Sequence, residues 1–262
     1  MRIDPGPVAL LGGQFGGEAP IAHTPVVNAA ILTIGNEVVS GDTLNSNAAW
    51  LGKRLETLGV KVVISASVPD EIERIADFLN RERQRVDIVI VTGGLGGTPD
   101  DLTREALAAT FEVEQVEQPE LAADLRARFP DRGDYVARWA ALPAGSRPLV
   151  NPRGGAPGFK IENVWVLPGL PSEMKAMFDA CADEFGGGAA ILAWRRVYRL
   201  RESEIADLLV EVMTRWPTVS VGSYPHFDVE GPEVEVVLKE SDETILEAAA
   251  AFLEPRLQRI LQ

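Results

Sequence analysis

The chain has 262 residues and a formal net charge of −14, with 46% hydrophobic and 24% charged residues. This composition is typical of a globular protein with one large domain, or with a medium domain and a small companion. The acidic excess argues against binding to a nucleic-acid backbone, and no apolar run approaches the ~20 residues that span a bilayer. The single cysteine excludes an internal disulfide, so we expect a cytoplasmic protein that binds neither nucleic acid nor membrane.

Residues 1–25 differ from the rest because they are rich in proline and glycine. They lack the basic start and long apolar centre of a secretory signal. Two interpretations remain open. Either the segment is a disordered tail, or the start codon was assigned too far upstream and the protein begins near Thr24.

The first ninety residues alternate between strand and helix patterns. Apolar runs predict strands at 26–34, 60–68 and 86–91, and helical spacing of apolar residues predicts helices at 45–58 and 69–83. The order β-α-β-α-β is typical of a parallel sheet covered by helices on both faces. We therefore expect an α/β fold from residue 26 onward.

Further elements continue to a glycine triplet at residues 186–188. We predict helices at 100–111, 119–129 and 171–185, a strand at 164–167, and mainly loop at 144–159. The glycines favour a boundary between a domain at 26–186 and a small α+β domain at 190–262. The latter shows strands at 193–200, 218–223 and 233–239, with helices at 202–216 and 242–262.

The best candidate site is a glycine-rich loop that follows a buried strand. Glycines let the backbone approach a ligand closely, and a helix start favours an anion, so the loop predicts a phosphate site. The alternative is a plain turn with Asp100 or Asp101 as the helix cap. The loop lacks both the Walker and the dinucleotide glycine patterns. Its candidate ligand-binding residues are Thr92, Gly93, Gly94, Gly96, Gly97 and Thr98.

Two other loops should meet this one, because the carboxyl ends of parallel strands share one sheet edge. The first follows strand 26–34 and offers Gly35, Asn36, Glu37, Asn45 and Asn47; Asn36 and Glu37 could instead stabilise a turn, and Asn45 could cap a helix. The second joins strand 164–167 to a helix and offers Gly169 and Ser172. Glu37 is the carboxylate best placed to face Asp100 and Asp101.

These motifs together resemble the molybdopterin-binding (MoaB/Mog-like) family, most closely its CinA-type branch, the competence/damage-inducible proteins A. The matching segments are IGNEVVSGDTLNSNAAWL at 34–51, TGGLGGTPDDLTREAL at 92–107, NPRGGAPGF at 151–159, VLPGLPSEM at 166–174 and GSYP at 222–225. The resemblance implies a three-layer α/β/α sandwich followed by a small KH-like α+β domain. It also implies a homodimer or other homo-oligomer. Full-length CinA proteins carry a further amidase domain, and we expect that activity to be absent here.

The resemblance further implies a metal-dependent pyrophosphatase that acts on ADP-ribose, FAD or a similar small phosphorylated nucleotide. Asp100, Asp101 and Glu37 would be catalytic and would hold Co²⁺, Mn²⁺, Mg²⁺ or Ni²⁺, while amides of Gly93, Gly94 and Gly96 bind phosphates. The alternatives are a protein that binds molybdopterin in cofactor synthesis, and a non-catalytic ligand-binding protein. Two departures matter, since family members often have Asp at Asn36 and Pro at Gly97.

Overall fold

The structure is a computed structural model that describes residues 27–186, 188–229 and 231–261. The predicted N-terminal tail lies outside these residues. The described part of the chain begins with strand β1, and its first domain contains eight strands. They are β1 (Val27–Ile34), β2 (Val60–Val68), β3 (Ile88–Thr92), β4 (Gln115–Glu117), β5 (Ala141–Pro143), β6 (Arg147–Leu149), β7 (Gly158–Ile161) and β8 (Val164–Leu167).

A six-stranded sheet in the order β2-β1-β3-β8-β7-β6 forms the centre of this domain. Strands β2, β1, β3 and β8 are parallel, whereas β7 and β6 are antiparallel to their neighbours. Strand β3 is buried along its whole length, as expected for a parallel strand covered on both faces. The parallel strands bring the ends of β1, β3 and β8 to one edge.

Helices cover both faces of the sheet. They are α1 (Asn36–Ser40), α2 (Ser46–Thr57), α3 (Ile72–Glu82), α4 (Thr103–Thr110), α5 (Pro119–Arg128), α6 (Gly133–Ala140) and α7 (Pro171–Ala180). Apolar residues of α3, α4, α5 and α6 form one core with the sheet, and those of α2 and α7 form a second core on the opposite face. This is the three-layer α/β/α sandwich that the strand and helix patterns predict.

The C-terminal unit consists of β9 (Leu192–Tyr198), α8 (Glu202–Arg215), β10 (Ser220–Asp228), β11 (Gly231–Glu240) and α9 (Glu243–Ile260). The antiparallel sheet has the order β10-β11-β9, and apolar residues of both helices pack on it in a core of their own. Its elements follow the predicted order. In the described residues, no helix is long and apolar enough to cross a membrane.

The end of α2 connects the two units. The carbonyl of Glu56 accepts a hydrogen bond from the amide of Ile191 at 3.1 Å, and its carboxylate lies 2.5 Å from Nζ of Lys239. The backbone at Gly188 lies close to Gly59. The small unit is therefore attached to the first domain at the end of α2 that is remote from the candidate site.

Two predicted helix starts lie three residues too early. The first is that of α3, which begins at Ile72 rather than at residue 69. The second is that of α4, which begins at Thr103 rather than at Asp100. The reason for the second is that the carboxylate of Asp101 accepts bonds from amides earlier in the loop, which bends the chain back before the helix can begin. Neither aspartate caps α4, because its N-cap position is Leu102.

Candidate functional site

A cavity of about 420 Å³ lies at the carboxyl ends of β1, β3 and β8. This position is where open parallel sheets bind ligands, and the volume is within the range of small-molecule sites. The lining residues come from the segments that follow β1, β2, β3, β6 and β8 and from the helices α1, α6 and α7. They are Ile34, Gly35, Glu37, Asp70, Gly93, Gly94, Leu95, Gly96, Asp100, Asp101, Trp139, Gly155, Ala156, Pro168, Gly169, Leu170 and Glu173.

The glycine-rich loop leaves β3 through two residues with positive φ, Gly93 at 111° and Gly94 at 63°. Side chains rarely adopt this conformation, so both positions favour glycine. The amide of Gly93 donates to the carbonyl of Leu167 at 3.1 Å, and the hydroxyl of Thr103 donates to the carbonyl of Gly93 at 2.9 Å. The loop is thus fixed to β8 on one side and to α4 on the other.

Two arginines hold four carbonyls farther along the loop. Arg104, which is 1% exposed, donates to the carbonyls of Leu95 at 2.9 Å and Gly96 at 2.6 Å. Arg138 donates to the carbonyls of Gly97 at 3.2 Å and Thr98 at 3.3 Å. Burial lowers the pKa of Arg104, and the charges of Glu105 and Asp101 oppose this effect. These bonds orient the carbonyls of the loop toward α4 and α6.

The carboxylate of Asp101 closes the loop from within. It accepts hydrogen bonds from the amides of Gly96 and Thr98, each at 2.9 Å, and from the hydroxyl of Thr98. Two amides that the sequence analysis assigned to phosphate, those of Gly93 and Gly96, therefore already have acceptors in the protein. In the described part of the chain, the amides of Gly94 and Leu95 have no protein acceptor, and both residues line the cavity.

Five carboxylates line the cavity, and the described lining residues include no Lys, Arg or His. The carboxylates belong to Glu37, Asp70, Asp100, Asp101 and Glu173. Burial raises the pKa of Asp70, the amide of Asn36 opposes this by donating to Oδ2 at 2.9 Å, and the charges of Glu37, Asp100 and Asp101 add to the rise. Hydrogen bonding by the Thr98 side chain lowers the pKa of the exposed Asp100. The wall is thus strongly negative.

The start of α2 supports the loops from behind the cavity. Asn45 caps the helix by accepting from the amide of Ala48 at 3.0 Å, as one interpretation of the sequence proposed. Asn47 is buried, and its amide group donates to the hydroxyl of Thr92 at 3.2 Å and to the carbonyl of Gly169 at 2.8 Å. Neither asparagine lines the cavity. Asn47 holds Gly169, which does line it, whereas Asn45 bonds to Thr33 and Ser67.

The remaining wall is the turn 151–157 against the start of α7. The buried Asn151 donates to the carbonyl of Ala156 and to Oε2 of Glu173, both at 2.9 Å. Glu173 also lies close to Gly155. The Glu173 carboxylate therefore fixes the turn while it faces the cavity.

The structure brings together a large part of the predicted site. Predicted residues that line the cavity are Gly35, Glu37, Gly93, Gly94, Gly96, Asp100, Asp101 and Gly169; those that do not are Thr92, Gly97, Thr98, Asn36, Asn45, Asn47 and Ser172. The side chain of Asn36 is exposed and does not line the cavity, whereas its backbone amide donates to Asp70, which does. Gly97 instead packs under Tyr135, because an added Cβ would lie 2.6 Å from its ring.

Sequence analysis missed Asp70, Glu173 and Trp139 as cavity residues. Asp70 directly follows β2 at the same sheet edge, so the rule that located Glu37 could have located it. Glu173 lies in the first turn of α7, next to the predicted Ser172. Trp139 lies on α6, a helix that was not predicted, and no signal in the sequence places it beside a loop forty residues earlier.

The three carboxylates predicted to hold a metal do not form a preformed cage. Within residues 27–186, 188–229 and 231–261, no three His, Cys, Asp or Glu side chains converge closely enough to hold an ion. Mg²⁺ is commonly held by one or two carboxylates, water and the phosphates of its ligand. The carboxylates on this wall suit such a site, in which water and the phosphates of the ligand complete the coordination.

The cavity, its glycine loop and the sheet order correspond to a known protein family. The family described as probable molybdopterin binding domain matches residues 30–185. The chain belongs to this family. A second match, to the middle domain of FAD synthase, covers residues 195–261 and thus most of the small C-terminal unit.

Individual relatives agree with this assignment. A protein of Archaeoglobus fulgidus is 36% identical over 195 residues, which is 74% of this chain and 84% of that protein. A CinA-like protein of Frankia casuarinae is 39% identical over 208 residues, which is 72% of this chain and 48% of that protein. The chain therefore spans about half the length of this CinA-like relative, and a second one, from Parasynechococcus marenigrum, is covered over 56%.

A solved structure is similar as well. The CinA protein of Thermoplasma acidophilum, described as having unknown function, is 32% identical with a TM-score of 0.58. The match covers 60% of this chain and 97% of that one. The resemblance to the CinA-type branch and the predicted MoaB/Mog-like fold are therefore confirmed. The comparisons leave the reaction, the metal and the oligomeric state as predictions.

Proposed function

We propose that this chain binds a small nucleotide diphosphate, of the ADP-ribose or FAD type, together with a divalent cation and hydrolyses the diphosphate. The observation that carries the proposal is the cavity wall, which has five carboxylates and no basic side chain among its described residues. Such a wall repels a bare phosphate. A phosphorylated ligand fits it only with a cation between the charges.

The residues divide into three roles. Asp70 and Asp100 would hold the cation, because Asp70 interacts electrostatically with the carboxylates of Glu37, Asp100 and Asp101, and Asp100 is exposed. The amides of Gly94 and Leu95, which have no acceptor in the described chain, bind a phosphate oxygen. Glu37 orients the attacking water and accepts its proton.

A bound cation would neutralise charge on the phosphates and stabilise the charge that develops as the bond breaks. Water attacks one phosphorus atom, the bridging P–O bond breaks, and the departing phosphate keeps the electron pair. The products are two monophosphates, such as AMP and ribose 5-phosphate. Asp101 takes a structural part in this scheme, since three hydrogen bonds within the loop occupy its carboxylate.

The test is hydrolysis of ADP-ribose and FAD by the purified chain with Co²⁺, Mn²⁺, Mg²⁺ or Ni²⁺ in turn, with products separated by chromatography. We expect AMP with the second half-product, and loss of turnover of at least about a hundredfold in Asp70→Asn and Asp100→Asn, the size of a lost electrostatic group. Glu120→Gln, an exposed carboxylate on α5 away from the cavity, is the matched control. Full activity in both aspartate variants would refute the roles, and absence of product with every metal would refute the reaction.

A second function is supported by the description of the family, which names molybdopterin. A pterin phosphate would use the same loop and the same cation. Co-purification of a fluorescent pterin with the chain, released on denaturation and absent from a Gly94→Val variant, would favour this function. It would place the protein in molybdenum cofactor handling rather than in nucleotide hydrolysis.

A further inference from the structure

The cavity has two sides that differ in charge, and the order of the strands separates them. In the sheet order β2-β1-β3-β8-β7-β6, the segments after β2, β1 and β3 carry four of the five carboxylates. The segments after β8 and β6 carry the fifth, Glu173, together with glycine, proline and aliphatic residues. The first side is the one that we assign to the cation and the phosphates. The second side is therefore left for a part of the ligand that carries no phosphate.

Glu173 offers a ligand one carboxylate oxygen. Its Oε2 accepts a hydrogen bond from the buried Asn151 at 2.9 Å, whereas Oε1 has no donor among the described residues. Oε1 lies beside Gly155, another lining residue, because a Cβ added to Gly155 would overlap it. The Glu173 side chain is partly exposed, so a ligand in the cavity can reach it. Since an ionised carboxylate oxygen accepts hydrogen bonds and cannot donate, the group that pairs with Oε1 must be a donor.

Leu170 gives the same side of the cavity an apolar surface. It directly precedes α7, lines the cavity and is 57% exposed. Its carbonyl accepts from the amide of Glu173 at 3.0 Å, so the two residues belong to one turn. An apolar side chain exposed at a cavity wall gains free energy when a ligand covers it. A carboxylate acceptor in one turn with an apolar group suits hydroxyl donors on a partly apolar ring, and it disfavours a second phosphate.

We infer that Glu173 determines specificity for a ribose of the ligand, whose vicinal 2′- and 3′-hydroxyls donate to Oε1 while the sugar ring contacts Leu170. The inference rests on the proposed function, because it requires the cation and the phosphates on the opposite side of the cavity. Ribose suits this side because its two adjacent hydroxyls are donors and its ring carries C–H groups. The exocyclic amine of adenine is also a donor, so the test must separate the sugar from the base.

The test compares nucleotides that differ from AMP in one feature each. Titration calorimetry of the full chain in Mg²⁺ would measure AMP, 2′,3′-dideoxy-AMP, which lacks both hydroxyls, and inosine 5′-monophosphate, which lacks the amine. We expect the wild type to bind AMP about tenfold more tightly than the dideoxy nucleotide, as for one hydrogen bond to a charged group. The affinities for AMP and inosine 5′-monophosphate should agree within about twofold, because the base does not contact Glu173.

Glu173→Gln should reduce the preference for AMP over the dideoxy nucleotide to about twofold or less. Asn151 donates to one position of this side chain, so the glutamine oxygen should occupy that position and its NH₂ group should face the ligand. Removal of a negative charge should also strengthen the binding of every phosphate, so the ratio of the two affinities is the quantity to compare.

Glu173→Asp keeps the charge and shortens the side chain, so it should lose the preference as well, and it keeps the test valid if the glutamine variant does not fold. Glu120→Gln, which removes an exposed carboxylate on α5 away from the cavity, is the control and should keep the wild-type preference. Circular dichroism checks that each variant is folded.

An unchanged ratio of AMP to dideoxy affinity in the Glu173 variants would overturn the inference. A preference for AMP over inosine 5′-monophosphate that depends on Glu173 would assign the carboxylate to the base and would overturn it too. If the wild type binds AMP and the dideoxy nucleotide equally, the phosphate site stands and the role of Glu173 fails. If the wild type binds none of the three, the proposed function itself fails and the inference fails with it.

Discussion

Asp100 and Asp101 are adjacent and chemically identical, yet the structure predicts opposite effects for their replacement. The asparagine in Asp101→Asn keeps one oxygen acceptor. Its NH₂ group replaces the second carboxylate oxygen and faces the backbone amide that donates to this oxygen in the wild type. One of the two amide bonds, from Gly96 or Thr98, is therefore lost, and the other becomes a bond to a neutral group. Asp100 is exposed and outside these bonds, so Asp100→Asn should leave folding unchanged.

The expected cost of Asp101→Asn follows from these contacts. A hydrogen bond to a charged group contributes about 1.5–3 kcal/mol, and partial exposure of the loop reduces this, so we expect a loss of about 2 kcal/mol. For a domain of this size the unfolding temperature should fall by about 4–8 °C. Differential scanning calorimetry and urea unfolding of both variants, at one pH and salt concentration, provide the measurement.

The hydrolytic activities of the two variants should also differ. Asp100→Asn should lose hydrolysis at wild-type stability, whereas Asp101→Asn should lose stability, with hydrolysis reduced through the altered loop. Equal unfolding temperatures for the two variants would refute the reasoning. It would mean that the bonds of Asp101 do not hold the loop, and that the two carboxylates act as an equivalent pair.

Three further predictions follow from the same region. The raised pKa of Asp70 means that its ionised form disfavours the folded chain, so Asp70→Asn should raise the unfolding temperature at pH 7–8, and the gain should shrink as the pH falls toward 4. A constant gain across this pH range would contradict it. Arg104→Met should cost about 2–4 kcal/mol in urea unfolding, because one buried and one part-buried carbonyl lose their donors, and Arg104→Lys should recover part of this; equal losses would contradict the prediction and show that a positive charge without the guanidinium geometry stabilises neither carbonyl. Gly97→Ala should cost about 1–3 kcal/mol by crowding Tyr135, and Tyr135→Ala should relieve it in a double-mutant cycle, whereas additive losses would exclude the contact.

The parallel part of the sheet was predictable because its strands depend on local patterns, whereas β6 and the start of β7 lie in the segment that was predicted as mainly loop. Strands β2 and β8 have the predicted bounds, since Gly59 and Pro69 flank the alternating residues of β2, and Asn163 and Pro168 flank the uninterrupted apolar residues of β8. The cavity edge was also predictable, because it follows from strand direction alone. Glu37, Gly94 and Asp100 reach the cavity for this reason.

Elements held by tertiary contacts were not predictable. Helix α6 begins at Gly133, just after a 3₁₀ turn at Pro130–Arg132, and this composition is typical of a loop. Its helical form depends on Trp139 and Val136 packing into the core and on Arg138 bonding to the loop. The short helix α1, which has no buried residue, was likewise predicted as a turn.

The same limit applies to the roles of the loop amides. The sequence pattern indicates a loop rich in N–H groups, but it cannot show that Asp101 takes the amides of Gly96 and Thr98 while Leu167 takes that of Gly93. Such assignments depend on how the chain folds back on itself. They decide which donors remain for a ligand.

The loop that leaves β3 has little freedom left to lose when a ligand arrives. Every carbonyl from Gly93 to Thr98 accepts a hydrogen bond, from Thr103, Arg104, Arg138 or Asp101. Binding should therefore proceed with almost no ordering entropy in this segment and without the slow closing motion of a mobile lid. The association rate should then follow how fast the cation and the anion enter the acidic cavity, and it should depend strongly on ionic strength.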